Sequence, residues 1–175
     1  YNHFMRTIFA FVALFITLIA QAQDQPFTGT NNKKASKLFG EALQAYTQFD
    51  GKKAVELLNK CTELDPQFVD AYMLLADIRE GNEQFAEAIA LYEKVIGLKP
   101  EFQIPYYKLA ISQLSNGEYA KALENLNQYK TRNGKQIDPN KIERAFITAN
   151  FGSEAVKNPV PYQPKNMGPG INSPL

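Results

Sequence analysis

The chain has 175 residues, 19 basic and 18 acidic side chains, one histidine and one cysteine, which is room for one domain or a small domain with tails. A charge this close to balance lacks the basic footprint of a nucleic-acid binder. One cysteine allows neither an internal disulfide nor a cysteine-based metal cluster.

Met5-Arg6-Thr7 is a short basic start, Ile8 to Ala20 is an apolar run broken only by Thr17, and Ala20-Gln21-Ala22 is a small-x-small cleavage site. The pattern predicts a secretory signal peptide over residues 5–22, with residues 1–4 as upstream sequence. The apolar run is 13 residues long, short for a membrane span of about 20, so a retained anchor is the alternative. No cysteine follows Ala22 to carry a lipid. Cleavage would remove Arg6 and His3 and leave 19 − 1 = 18 basic against 18 acidic residues. The expected product is exported and periplasmic, outer-membrane associated, without a direct membrane span. Residues 23–34 are polar with Pro26 and Gly29 and read as a flexible lead-in.

Leu64-Asp65-Pro66 and Leu98-Lys99-Pro100 then recur 100 − 66 = 34 residues apart. Lys53-Ala54-Val55-Glu56-Leu57-Leu58 answers to Glu87-Ala88-Ile89-Ala90-Leu91-Tyr92, and Lys121-Ala122-Leu123-Glu124-Asn125-Leu126 follows at 122 − 88 = 34. This period and spacing resemble the tetratricopeptide repeat family. The resemblance divides the chain into units 35–68, 69–102 and 103–136. In the second unit Tyr72, Leu75, Ala76, Phe85, Ala88, Tyr92, Val95, Leu98 and Pro100 fall on the family's slots. In the third, Tyr106, Leu109, Ala110, Gly117, Tyr119, Ala122 and Leu126 do so. The first is weaker but keeps Leu38, Ala42, Ala54, Leu58, Cys61, Leu64 and Pro66. The implied fold is all-α, a solenoid of three helical hairpins, because one such unit cannot bury its own apolar face.

Helix ends follow from local signals. Asp50-Gly51, Glu80-Gly81-Asn82 and Asn116-Gly117 mark turns within the units, and Asp65-Pro66 and Lys99-Pro100 end their second helices. The third unit closes at Arg132-Asn133-Gly134-Lys135 without a proline. Asp138 then reads as the N-cap of a capping helix over 138–156 with Pro139 at its first position. Ile142, Ala145, Phe146 and Ala149 form its apolar stripe. Residues 157–175 hold five of the ten prolines and read as a linker without helix.

The chemistry for catalysis is absent. Without histidine, the expected mature chain has no Ser/Cys triad and no common zinc site. Cys61 sits in a packing slot with no base partner, so a buried structural thiol is the reading over a nucleophile. Asp70, Asp77 and Glu80 could form an acid–base pair or cation site, but a solvated helix face is the ordinary explanation. Gly168-Pro169-Gly170 has no lysine or helix start and is no phosphate loop. The sequence predicts no enzyme and no cofactor.

The repeat resemblance implies that the first helix of each unit lines a concave groove through slots 2, 5, 9 and 12. These are Ser36, Phe39, Leu43 and Tyr46, then Asp70, Met73, Asp77 and Glu80, then Ile104, Tyr107, Ile111 and Leu114. The groove is thus acidic in the middle and apolar or aromatic at both ends. The family's lysine–asparagine–arginine carboxylate clamp does not map onto these positions, so a chaperone C-terminus is not the expected ligand. Two readings stand side by side: peptide capture, or packing of the aromatics against the lead-in, the cap or another domain.

Asn158-Pro159-Val160-Pro161-Tyr162-Gln163-Pro164-Lys165-Asn166-Met167-Gly168-Pro169-Gly170-Ile171-Asn172-Ser173 resembles the junction in exported Bacteroidetes proteins where a capped tetratricopeptide module meets a β-propeller and then an OmpA-like domain. That family includes PorE-like components of type IX secretion. The resemblance implies an envelope scaffold with protein partners, touching peptidoglycan only through a domain beyond these residues. A free-standing periplasmic peptide-binding or chaperone adaptor is the alternative.

Overall fold

The computed structural model describes residues 29–159. The expected signal peptide, the lead-in before residue 29 and the tail from residue 160 lie outside them. Helices α1 (Lys33–Thr47) and α2 (Gly51–Leu64) form one hairpin, α3 (Val69–Gly81) and α4 (Phe85–Leu98) a second, and α5 (Ile104–Ser115) and α6 (Tyr119–Thr131) a third. A last helix, α7 (Pro139–Lys157), follows. Among the described residues there is no strand. Each helix packs on its predecessor and successor, and α7 reaches back to α5 as well. This is the all-α solenoid that the 34-residue period predicts.

The period is written in burial. Ala42, Ala76 and Ala110 on the first helices, and Ala54, Ala88 and Ala122 on the second, are all completely buried. These pairs let the two helix backbones of each hairpin approach closely. Leu58, Tyr92 and Leu126 repeat the pattern one turn on, and Cys61, Val95 and Tyr129 two turns on. Leu64, by contrast, stands exposed at the end of α2.

The turns repeat too, by a device that composition hides. Just past α1 the amide of Phe49 bonds the carbonyl of Tyr46 and the amide of Asp50 bonds that of Ala45. Glu83 to Glu80 with Gln84 to Arg79, and Gly117 to Leu114 with Glu118 to Gln113, are the same pair of bonds 34 and 68 residues later. Each is a Schellman closure, whose middle residue must be left-handed: Phe49, Glu83 and Gly117 have φ of 61°, 60° and 79°. Only the third unit has the glycine that suits the conformation. Phe49 is also 97% exposed and packs on nothing. Phe49→Gly is therefore expected to raise the unfolding free energy by about 1 kcal/mol, since it relieves left-handed strain. Gly117→Ala should lower it by a similar amount. Urea melts of the two variants check the pair.

Three helix starts carry side-chain caps, each from an Asn or Asp. The Asn32 side chain accepts from the amides of Lys34 and Ala35, Asp50 from Lys53, and Asp138 from Asn140. The expected flexible lead-in over 23–34 needs correction in its described part. Asn32 donates its side-chain amide to the Leu64 carbonyl at 3.0 Å, the Thr30 hydroxyl bonds Asp65, and α1 already begins at Lys33. A capping residue that also ties α1 to the end of α2 leaves this stretch little freedom.

At the far end α7 buries Ala145, Ala149 and Gly152. Gly152 lies on the ring of Tyr119, where a Cβ would come within 2.4 Å of the ring. The helix continues to Lys157, a residue past the expected 138–156.

Candidate functional site

α1, α3 and α5 carry the predicted groove residues, and the structure gives them three different fates. At the first end the groove is open: Leu43 is 40% and Tyr46 45% exposed, while Ser36 faces solvent. Phe39 is half-buried, its ring 4.9 Å from that of Phe68 and tilted by 55°. Phe39, Leu43, Met73, Leu74 and Phe102 wall a pocket of about 150 Å³ with Asp70 and Asp77 at its margin.

The acidic middle is not a free charged surface. Asp70 is only 3% exposed, and its carboxylate accepts the backbone amide of Gly29 at 3.0 Å. The Tyr92 hydroxyl lies 2.7 Å from Asp77 and 2.9 Å from Glu80, so one O–H proton is shared between two carboxylates. Lys108 on α5 closes on Asp77 at 2.9 Å, and the Ser112 hydroxyl donates to Glu80 at 3.4 Å. This polar cluster joins α3, α4 and α5. The expected solvated helix face therefore needs correction: Asp77, through Tyr92 and Lys108, helps to hold the repeats together.

The third end is covered. Tyr107, Ile111 and Leu114 pack against the cluster that contains Ala145 and Ala149 of α7, and the Tyr107 ring lies 5.8 Å from that of Tyr129. Ile104 is half-buried at the start of α5. Here packing against the cap, the second of the two readings, describes the side chains. The groove therefore narrows to its first half, where α1 and α3 face each other.

Two of the pocket walls, Leu74 and Phe102, lie outside the slots read from the sequence. Phe102 had a signal, since it stands 34 residues after Phe68 in matching stretches, Asp65-Pro66-Gln67-Phe68 and Lys99-Pro100-Glu101-Phe102. Phe68 packs onto Phe39 within the first unit, and Phe102, at the end of the second, lines the α1–α3 pocket.

Burial governs the titrating groups. The Cys61 thiol is completely buried and donates to the Ala35 carbonyl at 3.5 Å; desolvation pushes it from 9.0 up to about 11. Tyr92 is raised far above the ordinary tyrosine value, first by burial and then by the Asp77 charge. Both groups are held neutral by the fold. Their contribution to stability is complete below their unfolded values and is lost as pH rises through the folded ones. Stability should therefore begin to fall at about pH 9 through Cys61 and continue to fall at higher pH through Tyr92. Urea melts at stepped pH check this: Cys61→Ala should flatten the loss between pH 9 and about 11. A flat wild-type profile over that range would contradict a desolvated thiol.

Among the described residues no group of histidine, cysteine, aspartate or glutamate side chains could hold a metal ion. No helix there is long and apolar enough to cross a membrane.

Comparison with known proteins agrees with this geometry. Residues 79–139 match the tetratricopeptide repeat family model. The TPR2B domain of yeast Sti1, solved as a complex with pHsp70, is similar at 28% identity and TM-score 0.61, over 67% of this chain and 97% of that one. The Sgt2 TPR domain of Aspergillus fumigatus is similar in fold at 16% identity and TM-score 0.63, over 84% and 98%. The Yersinia enterocolitica type III secretion translocator chaperone SycD aligns at 16% identity and TM-score 0.63, over 71% and 89%. No curated relative matches the chain.

Proposed function

We propose that this chain, a tetratricopeptide repeat protein, is a non-enzymatic protein-binding module whose contact surface is the α1–α3 half of its concave face. The observation that carries the reading is the open apolar pocket between Phe39, Leu43, Met73 and Phe102, flanked by the half-exposed Tyr46. Apolar side chains concentrated in a concavity mark a site for another chain's side chains. A groove between helices suits an extended segment or an amphipathic helix.

The Sti1 domain is complexed with pHsp70, which raises a chaperone tail as the ligand. The groove here has Asp70, Asp77 and Glu80, already engaged within the fold, where the family's clamp needs cations, so the ligand is an apolar segment rather than a C-terminal carboxylate. The signal-peptide pattern of residues 5–22 and the resemblance of residues 158–173 to the junction in PorE-like proteins support our reading of the module as part of an exported scaffold of the cell envelope, a component of type IX secretion. N-terminal sequencing tests export: the account expects a mature start at Gln23, and a start at Met5 in a membrane fraction would contradict it.

The groove is tested by capture from envelope extracts with Leu43→Glu and Tyr46→Ala, whose exposed side chains hold nothing together. The account expects both variants to keep the wild-type melting temperature and lose the partner. Undiminished capture by both would move binding off the concave face.

A further inference from the structure

The helix that closes the solenoid has an apolar outer side. α7 turns Ala145, Ala149 and Gly152 into the fold, and a closing element of this kind needs a polar outer face to stay soluble. Ile147 and Phe151 stand there instead, 60% and 76% exposed. At about 100° per residue they lie half a turn round the helix from Ala145 and Ala149, away from α5 and α6, on which α7 packs. Arg144 precedes Ile147 by three residues and Glu154 follows Phe151 by three, with Asn140 and Asn158 four residues further out at either end; all four are exposed. The resulting row, Asn140, Arg144, Ile147, Phe151, Glu154, Asn158, has spacings of four, three, four, three and four, the 3.5-residue repeat of a seam between two helices. It reads the same in class from both ends: polar, charged, apolar, apolar, charged, polar. The two charges are opposite.

We infer that this face of α7 pairs with the same face of a second copy of the chain, the two helices running antiparallel about a two-fold axis at the level of Ala149. Ile147 of each copy then meets Phe151 of the other, and Arg144 meets Glu154, so two apolar layers are flanked by two ion pairs. Such self-complementarity is what a two-fold interface requires, whereas a different protein would not need the row to read alike from both ends. Charge also fixes the direction. Parallel helices would set Arg144 against Arg144 and Glu154 against Glu154, and like charges face to face are costly. Within one chain Arg144 donates to the Asn140 carbonyl at 3.3 Å and Glu154 pairs with Lys157 at 2.9 Å, both partners well exposed; exposed pairs of this kind contribute little, so they yield readily to a second copy. One helix from each copy buries less than the roughly 800 Å² per partner of a standard interface, which makes the dimer a weak and concentration-dependent one. The α1–α3 groove lies on other hairpins, so a dimer would present two of them, and the inference stands apart from whether a partner uses that groove.

Sedimentation velocity of the full chain over a dilution series reads the result. A dimer should form reversibly as concentration rises, and Phe151→Glu should weaken it at least about 10-fold while leaving the thermal melt of the dilute chain unchanged, since the side chain it replaces is exposed. Arg144→Glu and Glu154→Arg should each weaken self-association, because each sets like charges face to face at both ends of the seam. The double variant Arg144→Glu/Glu154→Arg only exchanges the members of the two pairs and should recover the dimer, which also shows that neither substitution acts by unfolding α7. A wild-type chain that stays monomeric throughout would overturn the proposal and give the face to another occupant. Self-association that Phe151→Glu leaves unchanged, or a double variant that associates no better than the single ones, would overturn it as well.

Discussion

Tyr92→Ala is expected to lower the unfolding free energy by about 3–5 kcal/mol, the range for truncating a large buried aromatic. The ring is completely buried between the second and third hairpins, in one cluster with Ala76, Ala88, Ile89 and Leu109. Truncation also strips the O–H from between Asp77 and Glu80 and leaves two carboxylates facing each other, with Lys108 on Asp77 as the remaining cation. Tyr92→Phe separates the two losses: it keeps the packing and should cost about 1–3 kcal/mol for the unmet hydrogen bonds. Chemical denaturation of both variants gives the comparison. Equal losses would mean that the hydroxyl, rather than the ring, holds the repeats.

Ala88→Trp should be the most disruptive change among small residues. Ala88 is completely buried against Ala76 where α3 crosses α4, and overpacking such a contact costs about 1–3 kcal/mol or more. Glu93, one turn further along α4 on the exposed side, should tolerate Glu93→Ala within about 0.5 kcal/mol. Thermal melts of the two should differ widely; matching melts would contradict the register of the whole middle repeat.

The fold was legible because its main constraint is periodic. A 34-residue recurrence of small residues at 42, 76 and 110 and at 54, 88 and 122 dictates where helices cross, and prolines 66 and 100 dictate where they end. The Schellman turns were only partly legible, since Phe49 and Glu83 do not look like left-handed residues and only Gly117 does. Tertiary closure imposes that conformation on them. The same limit applied to α7, where Gly152 yields to the Tyr119 ring, a contact between residues far apart in sequence that no local pattern shows.

The groove was less legible than the fold for a related reason. Slot positions say which way a side chain points but not what it meets. Asp70, Asp77 and Glu80 point where expected, yet each is engaged by a group from another segment: the Gly29 amide, the Tyr92 hydroxyl, the Lys108 ammonium or the Ser112 hydroxyl. Tyr107, Ile111 and Leu114 likewise meet the α7 cluster. What remains for a partner is the set whose neighbours leave room, Leu43, Met73 and Tyr46, together with Phe102, which arrives from the next unit boundary.

Site-specific photocross-linking in the source cells tests the central claim most directly. A photoreactive phenylalanine analogue at Leu43 or Tyr46 sits at the open end of the concave face, and the same probe at Glu93 sits on the exposed side of α4. The account predicts discrete adducts with one protein partner from the first two positions and none from the third. Adducts from Glu93 alone would contradict a binding function of the groove.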